Sequence, residues 1–511
     1  MWEYFTTYVW AQIPGGPVSF YRPFFILWLR LNFILSEASA WGWHLLSIAK
    51  HVLVAVLLGL LVWKLLRDRV AALIAGALFA LHPAQTESVA WVTVPDPLMS
   101  AAALGCILLY LAYADRVSAG KQLDAQKASK KSAKKNHNQS IGDLSIVGID
   151  TSSAACFVAL MAKETAVVLP VALFATALTT PVSDMNTHGP ASGGIADFGI
   201  RLVSAFRRTL PFVATSVLYL TFRVHALKGQ ISPPTQQLPL RTVLLSWPET
   251  LWFYVKVLLW PVRPRAFADS SLNDTFSLRS FVLPGLGVCC AVVVLAGGRF
   301  WARRRARQAL EHQAVARVER GLLLGTLLLV LPILLTLNLN ALNPGDFLHG
   351  RYTYLPLTGM MLLLATGWHM AGKARAVLLA ASVLIALSFG ALTLKQEGAW
   401  SDDLTVFTVA HQYAPRNEPV AHELAKAHVQ AALGLDEDGR CDEAMPMFDQ
   451  AIQQYPQDWF AWAGQGECLL KLNDPVRAEQ SFHRAADLSR EPRVIEQWQD
   501  LRAKMGLSPA P

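Results

Sequence analysis

Charge is what this sequence is short of. Asp, Glu, Lys and Arg together make up 16% of its 511 residues, against about 25% in soluble chains. Cysteine is sparse too: there are six, with no CxxC pair and no His-rich neighbourhood, so no zinc site is indicated. Cys106, Cys156, Cys289 and Cys290 sit in apolar runs and read as small core residues. Cys441 and Cys468 lie in the polar C-terminal part and could pair if that part is extracytoplasmic. So little charge on so apolar a chain excludes intrinsic disorder and argues against a cytosolic enzyme. A nucleic-acid partner is not expected either, because such proteins keep a soluble core beneath their basic face.

What is present instead is apolar side chain. Hydrophobic residues reach 53% and the mean hydropathy is +0.33. Length alone suggests three or four domains at about 150 residues each, but a soluble protein could not easily hide this much apolar surface, so most of it should face lipid. Apolar segments of spanning length recur near 44–65, 70–90, 97–114, 209–226, 244–261, 280–298, 320–341, 353–372 and 376–394. Residues 151–178 form either one long span or two short ones broken at Lys163-Glu164. Residues 20–36 carry Arg22 and Arg30 within an aromatic-aliphatic stretch and suit an interfacial helix better than a span.

Lys and Arg placement orients these segments, because cationic loops stay cytoplasmic. Clusters follow the first span (Lys64, Arg67, Arg69), the third (Arg116 to Lys135), the 280–298 span (Arg299 to Arg307) and residue 372 (Lys373, Arg375). All four share the cytoplasmic side only if an odd number of crossings separates 145 from 279. One long 151–178 span with spans at 209–226 and 244–261 satisfies this; two short ones do so if 244–261 lies along the interface. Residues 82–96 and 342–352 and the N-terminal segment then face outside, and the last span exports everything after about 395. The low-complexity 118–140 tract reads as a solvated loop.

The tail has a different grammar. Ala444, Phe448, Ala451 and Pro456 are followed 34 residues later by Ala478, Phe482, Ala485 and Arg490, with Trp462 and Gly466 set 16 and 12 residues before Ala478. This is tetratricopeptide spacing, in which small residues let paired helices approach and the aromatic fills the gap. Phe407, Ala410 and Pro415 lie 41 residues before Phe448, Ala451 and Pro456, one period plus seven residues, an insertion expected around 435–440. The expected fold is therefore all-α: a polytopic membrane part at 1–395 with about nine or ten spans, then a tetratricopeptide α-solenoid of about two and a half repeats at 396–511.

Ionisable residues at membrane depth are expensive and usually functional. One group is His82, Glu87 and Asp96, bracketed by prolines at 83, 95 and 97 that force irregular backbone; the plain alternatives are a solvated loop and, for His82, a helix cap. A second is Lys163-Glu164, either a structural ion pair or a site lining. A third is Asp346, His349, Arg351, Tyr352 and Tyr354, where an Arg among tyrosines suits a phosphate at the bilayer surface or a simple aromatic anchor. Tyr21-Arg22-Pro23 with Trp43-His44 is a fourth. All but Lys163-Glu164 lie outside under the first topology, and that pair joins them under the second. A cationic cleft that also holds carboxylates is what a lipid-phosphate substrate requires.

YRPFF (21–25), WHLLSIAKHVLVAVLL (43–58), ALFALHPAQTESVAW (77–91), MAKETAVVLP (161–170) and GRYTYLP (350–356), in that order before the repeats, resemble the transmembrane O-mannosyltransferase family with tetratricopeptide repeats and its bacterial relatives. The resemblance implies inverting transfer of a sugar, with mannose expected, from a polyprenyl-phosphate donor to a hydroxyl, commonly Ser/Thr, of an exported protein, with no nucleotide cofactor; no metal is expected. It implies a carboxylate base and cations that steady the phosphate leaving group. The family opens with a transmembrane helix and an acidic pair in the first outer loop. This chain begins at Met1-Trp2-Glu3, inside what resembles that loop, so a preceding helix is expected upstream. Where the family tends to carry Gly-Arg-x-Asp after the HP motif, this chain has Val94-Pro95-Asp96-Pro97.

The expected catalytic carboxylates are Glu87, Asp96 and Glu164. Arg22, His44, His82, Lys163, Arg351 and Tyr354 are expected to hold lipid phosphate and substrate. Trp462, Gly466, Ala478, Phe482 and Ala485 should pack the repeats, which would recruit the acceptor protein. The expected location is the membrane, multi-pass (the inner membrane in a bacterium), with the repeats outside. The alternative is a non-catalytic membrane scaffold whose repeats bind partners. A transporter ranks below both, since no internal repeat relates the hydrophobic halves.

Overall fold

The computed structural model describes residues 3–9, 20–129, 138–179, 195–229, 237–262, 272–342, 347–489 and 491–507, with side chains at 118–129, 138–147 and 195–197 outside the description. Among these residues there is no strand. The chain divides into two compact units: residues 1–263, 272–343 and 350–393 form one, and 264–271, 344–349 and 394–511 the other.

The first unit contains the short α1 (Glu3–Thr6), α2 (Pro23–Ser36), α3 (Ala40–Leu66), α4 (Arg69–Ala80), α5 (Thr86–Ala90), α6 (Asp96–Ser129), α7 (Asn138–Ala162), α8 (Leu169–Leu178), α9 (Ile195–Ala226), α10 (Leu240–Leu259), α11 (Leu283–Ala309), α12 (His312–Leu335), α13 (Tyr354–Met370) and α14 (Arg375–Glu397). Among the described residues, five stretches are long and apolar enough to cross a membrane: Ala40–Leu66, Asp96–Val117, Leu278–Ala309, His312–Leu335 and Gly372–Trp400. The protein is an integral membrane protein.

These five fall on the spans expected at 44–65, 97–114, 280–298, 320–341 and 376–394; the other expected segments have a different form. The segment expected to cross at 70–90 is α4, a 3-10 turn at Pro83–Gln85, and α5. Twelve residues of α4 reach about 18 Å, short of a hydrocarbon core of about 30 Å. Pro83 ends the run, and the Asp68 carboxylate starts it by accepting from the amides of Val70 and Ala71. The helices α9, α10 and α13 over the expected spans at 209–226, 244–261 and 353–372 are likewise not among the five. The 151–178 alternative resolves as two pieces. Lys163 adopts extended backbone (φ −159°, ψ 137°), a 3-10 turn covers Glu164–Val168, and α8 restarts with Pro170 in its first turn, where a missing N–H costs nothing.

Small residues set the closest approaches. A Cβ on Gly359 of α13 would lie 2.4 Å from the backbone nitrogen of Leu329 in α12, and one on Gly325 would lie 3.0 Å from the Gly359 carbonyl oxygen. The two helices therefore touch backbone to backbone. At one end of the unit, Lys64 binds Asp115 at 2.7 Å, Asp68 holds both His369 (2.7 Å) and Arg375 (3.0 Å), and Arg307 binds Glu319 at 2.8 Å. A Cβ on Gly372 would meet the Arg305 guanidinium at 3.2 Å. These contacts draw basic residues in the last turns of α3 and α11, and after α13, to a shared end.

The second unit carries α15 (Asp403–Tyr413), α16 (Glu418–Glu437), α17 (Cys441–Gln454), α18 (Trp459–Lys471), α19 (Pro475–Ser489) and α20 (Pro492–Lys504). Single helix α15 is followed by the hairpins α16/α17 and α18/α19. Ala478 and Ala485 are wholly buried with Phe482 in one apolar cluster, beside half-buried Trp462. A Cβ on Gly466 would come within 3.0 Å of the Phe482 ring, and one on Gly464 within 2.5 Å of the Phe448 ring. The indole of Trp462 donates to the Pro456 carbonyl at 3.0 Å, closing the turn before α18. The seven extra residues do not form a loop at 435–440: α16 has 20 residues against 13 in α18, and both hairpins keep three-residue turns. Seven residues are nearly two helical turns, so lengthening the helix keeps its packing face.

Candidate active site

The site grows from two breaks in the helix runs, the proline-bracketed 82–97 segment and the α7–α8 break at Lys163. In the 82–97 segment, the His82-Pro83 turn and Pro95 present Glu87 on α5 and Asp96 at the start of α6. At the α7–α8 break, extended Lys163 sends its own side chain and that of Glu164 to opposite sides. The adjacent Lys163 and Glu164 therefore do not bind each other. Lys163 Nζ donates to Asp96 Oδ1 at 2.6 Å, and both groups are buried. Glu164 takes a two-pronged contact from Arg22 (Nε to Oε2 3.0 Å, Nη2 to Oε1 2.6 Å), the fork-to-fork geometry that arginine suits. Arg223 of α9 approaches the same carboxylate at 3.9 Å and donates to Tyr219 at 3.3 Å.

Tyr352 joins this group to a second one. Its ring lies 4.9 Å from Lys163 Nζ and 5.5 Å from the Arg351 guanidinium. Glu87 accepts from the Arg351 backbone amide at 2.9 Å and from its guanidinium at 3.3 Å, and that guanidinium also covers Trp91 at 4.9 Å. Four cations (Arg22, Lys163, Arg223, Arg351) thus meet three carboxylates (Glu87, Asp96, Glu164), leaving an excess of one positive charge. Each carboxylate has a cationic partner, so burial does not leave bare charge.

Asp96 Oδ2 is buried and has no hydrogen-bond partner among the described residues; the same holds for the side-chain polar atoms of Gln85, Ser88 and Ser100. An unmade buried hydrogen bond costs about 1–3 kcal/mol. Four such side chains fall within 85–100, so that stretch keeps polar capacity that the described residues do not use.

Other expected residues sit elsewhere. The hydroxyl of Tyr354, fully buried, bonds His51 Nδ1 at 2.7 Å, and His51 Nε2 bonds the Ala80 carbonyl at 3.0 Å. That chain ties α13 to α3 and α4 and engages the Tyr354 hydroxyl within the fold. His82 caps the turn it begins, accepting from the Ala84 amide at 3.2 Å, while Nε2 bonds the Leu258 carbonyl at 3.2 Å; the cap reading of this residue fits the geometry. His44 is exposed on α3. His349 is buried, and Asp346 lies outside the described residues. Sequence reasoning missed Arg223 and Tyr219, although an arginine inside an apolar run was a usable signal. It also missed Lys50, buried in α3 with its ammonium 5.1 Å over the Trp28 ring.

Residues 437–505 match the tetratricopeptide repeat family. Over 498 residues, 93% of this chain and 48% of the relative, the sequence is 24% identical to protein O-mannosyl-transferase TMTC3 of Mus musculus. The chain resembles the transmembrane O-mannosyltransferase family with tetratricopeptide repeats. The human TMTC3 protein gives 23% identity over 504 residues (93% of this chain, 49% of the relative). Protein O-mannosyl-transferase Tmtc1 of Drosophila melanogaster is 36% identical over 101 residues, 20% of this chain and 11% of the fly protein. The chain spans about half the length of the TMTC3 relatives it matches. An oligosaccharyltransferase of Archaeoglobus fulgidus aligns over 83% of this chain and 55% of its own at 12% identity and TM-score 0.40, too distant for anything about the site to carry over.

Proposed function

We propose that the chain is a membrane glycosyltransferase acting on proteins, which moves a sugar, with mannose the first choice, from a polyprenyl-phosphate donor to a hydroxyl of an exported protein. The observation that carries this reading is the Asp96–Lys163 pair. Lys163 fixes one carboxylate oxygen, while Oδ2 has no hydrogen-bond partner among the described residues. A carboxylate so held suits a general base that takes the acceptor hydroxyl proton as the oxygen attacks the anomeric carbon. The phosphate leaves with the bonding electron pair, and the one-charge cationic excess around Arg22, Arg223 and Arg351 suits its stabilisation. The polyprenyl-phosphate sugar is substrate, and no further cofactor enters this scheme. The site would face the outer side of the membrane, and the repeats would present acceptor protein to it from that side.

The test is transfer of labelled sugar from polyprenyl-phosphate mannose, and in parallel glucose, to protein by membranes expressing the full reading frame. Asp96→Asn should reduce transfer on the order of 10²–10⁴-fold, and Arg351→Ala should reduce it as well. A folded, cooperatively melting chain that transfers from no such donor would leave the scaffold reading in place of the enzyme.

A further inference from the structure

Asp436, Cys441 and Cys468 meet inside the repeat unit, where none of the packing described above requires them. All three are buried, and their ligand atoms lie within 4.8 Å of one another. Asp436 Oδ1 accepts from both thiols, at 2.8 Å from Cys441 and 3.1 Å from Cys468, and from Lys471 Nζ at 2.8 Å. We propose that these three side chains form a site for a thiophilic divalent cation of the zinc type, independent of the transferase reading.

The position of Asp436 argues for a ligand. It stands in the last turn of α16, where a negative charge opposes the helix dipole, so it is not there to stabilise the helix. Cys441 is the first residue of α17, the helix end that favours a thiolate. Two thiolates and a carboxylate against the Lys471 ammonium leave two negative charges, which one divalent cation neutralises. Tetrahedral zinc sets S···S and S···O edges at about 3.5–3.8 Å, so S–H···O contacts of 2.8 and 3.1 Å become S–metal–O edges with movements under about 1 Å. Lys471, its side chain 52% exposed, can turn to solvent. A disulfide would join the same sulfurs but strip the buried carboxylate of two of its three donors, which favours the metal. Burial and the bond to Asp436 push both thiols up. Binding therefore releases two protons to solvent as two metal–sulfur bonds form, with no change of oxidation state.

The experiment is a cobalt(II) titration of the full chain, purified in detergent and reduced. One cobalt per chain should give a thiolate-to-metal charge-transfer band that zinc bleaches. Cys468→Ser should abolish it and Asp436→Asn should weaken binding by at least about tenfold, each variant being checked for native helicity. A Cys289→Ser, Cys290→Ser control should keep the band, because those exposed cysteines are the competing thiols. Asp436→Asn nearly preserves side-chain shape, so it decides the matter if Cys468→Ser does not fold. No band in folded, reduced protein, or a band that survives Cys468→Ser, overturns the site. So does protection of both thiols from alkylation in freshly isolated membranes until a reductant is added, which would make the pair a disulfide.

Discussion

The two units handle charge in opposite ways. At the candidate site of the membrane unit, ion pairs join residues far apart in sequence and are buried or half-buried: Asp96 with Lys163, Arg22 with Glu164, Glu87 with Arg351. In the repeat unit several are local and exposed, three residues apart within a helix or across its first turn: Glu423 with Lys426, Arg440 with Glu443, Asp474 with Arg477. Lipid removes the water that would otherwise solvate a lone charge, so in the first unit a charge must be paired across the fold, and the pairings organise the site. In the second, water does that work, and the array is held by Gly, Ala and Phe.

The largest test of this contrast is Lys163→Ala. It leaves Asp96 buried without its partner and should cost about 3–5 kcal/mol, read as a fall in the melting temperature of the detergent-solubilised chain. Close approach comes next. Gly359→Ala pushes a methyl into the α12 backbone, and Gly466→Ala pushes one against the Phe482 ring. Overpacking costs about 1–3 kcal/mol; the membrane glycine should sit at the upper end, because a ring can tilt and a packed backbone cannot. Equal shifts would show that the α12–α13 contact yields more than its geometry implies.

A smaller effect is pH-dependent. Burial alone would raise the Glu479 carboxyl, but hydrogen bonds from Trp498 and Arg502 outweigh it and hold its pKa below the ordinary value. A depressed carboxylate contributes stability above its unfolded pKa of about 4.3 and loses it as pH falls through the folded value. Repeat-unit melting should therefore become steeply acid-sensitive below about pH 4.3, and Glu479→Gln should flatten that slope. Smallest of all, Arg440→Ala, on a fully exposed pair, should leave melting unchanged within error; a clear loss would contradict the division drawn above.

The repeats were legible in the sequence because their packing recurs at a fixed period, so Ala444/Ala478 and Phe448/Phe482 announce each other. The ion-pair partners were not. Lys163-Glu164 reads as a pair in one dimension, yet extended backbone at Lys163 parts the two side chains, and their partners lie 67 and 142 residues away. No local pattern encodes such a distance. Apolar runs located helices but not crossings: 70–90 is one hydrophobic run interrupted by a His-Pro turn. Tyr354 and His82 were chosen for their chemistry, and both hydrogen-bond within the fold, as caps and ties do.

The long helix α16 has a mechanical consequence. Its neighbours α15 and α17 attach through short turns at opposite ends of a strut that is seven residues longer than α18. At 1.5 Å per residue this offsets them along the strut by about 10 Å, while the added rotation falls only about 20° short of two full turns. The insertion thus changes height and nearly spares azimuth. An array built this way can acquire a step in its stack without any helix having to find a new face to pack.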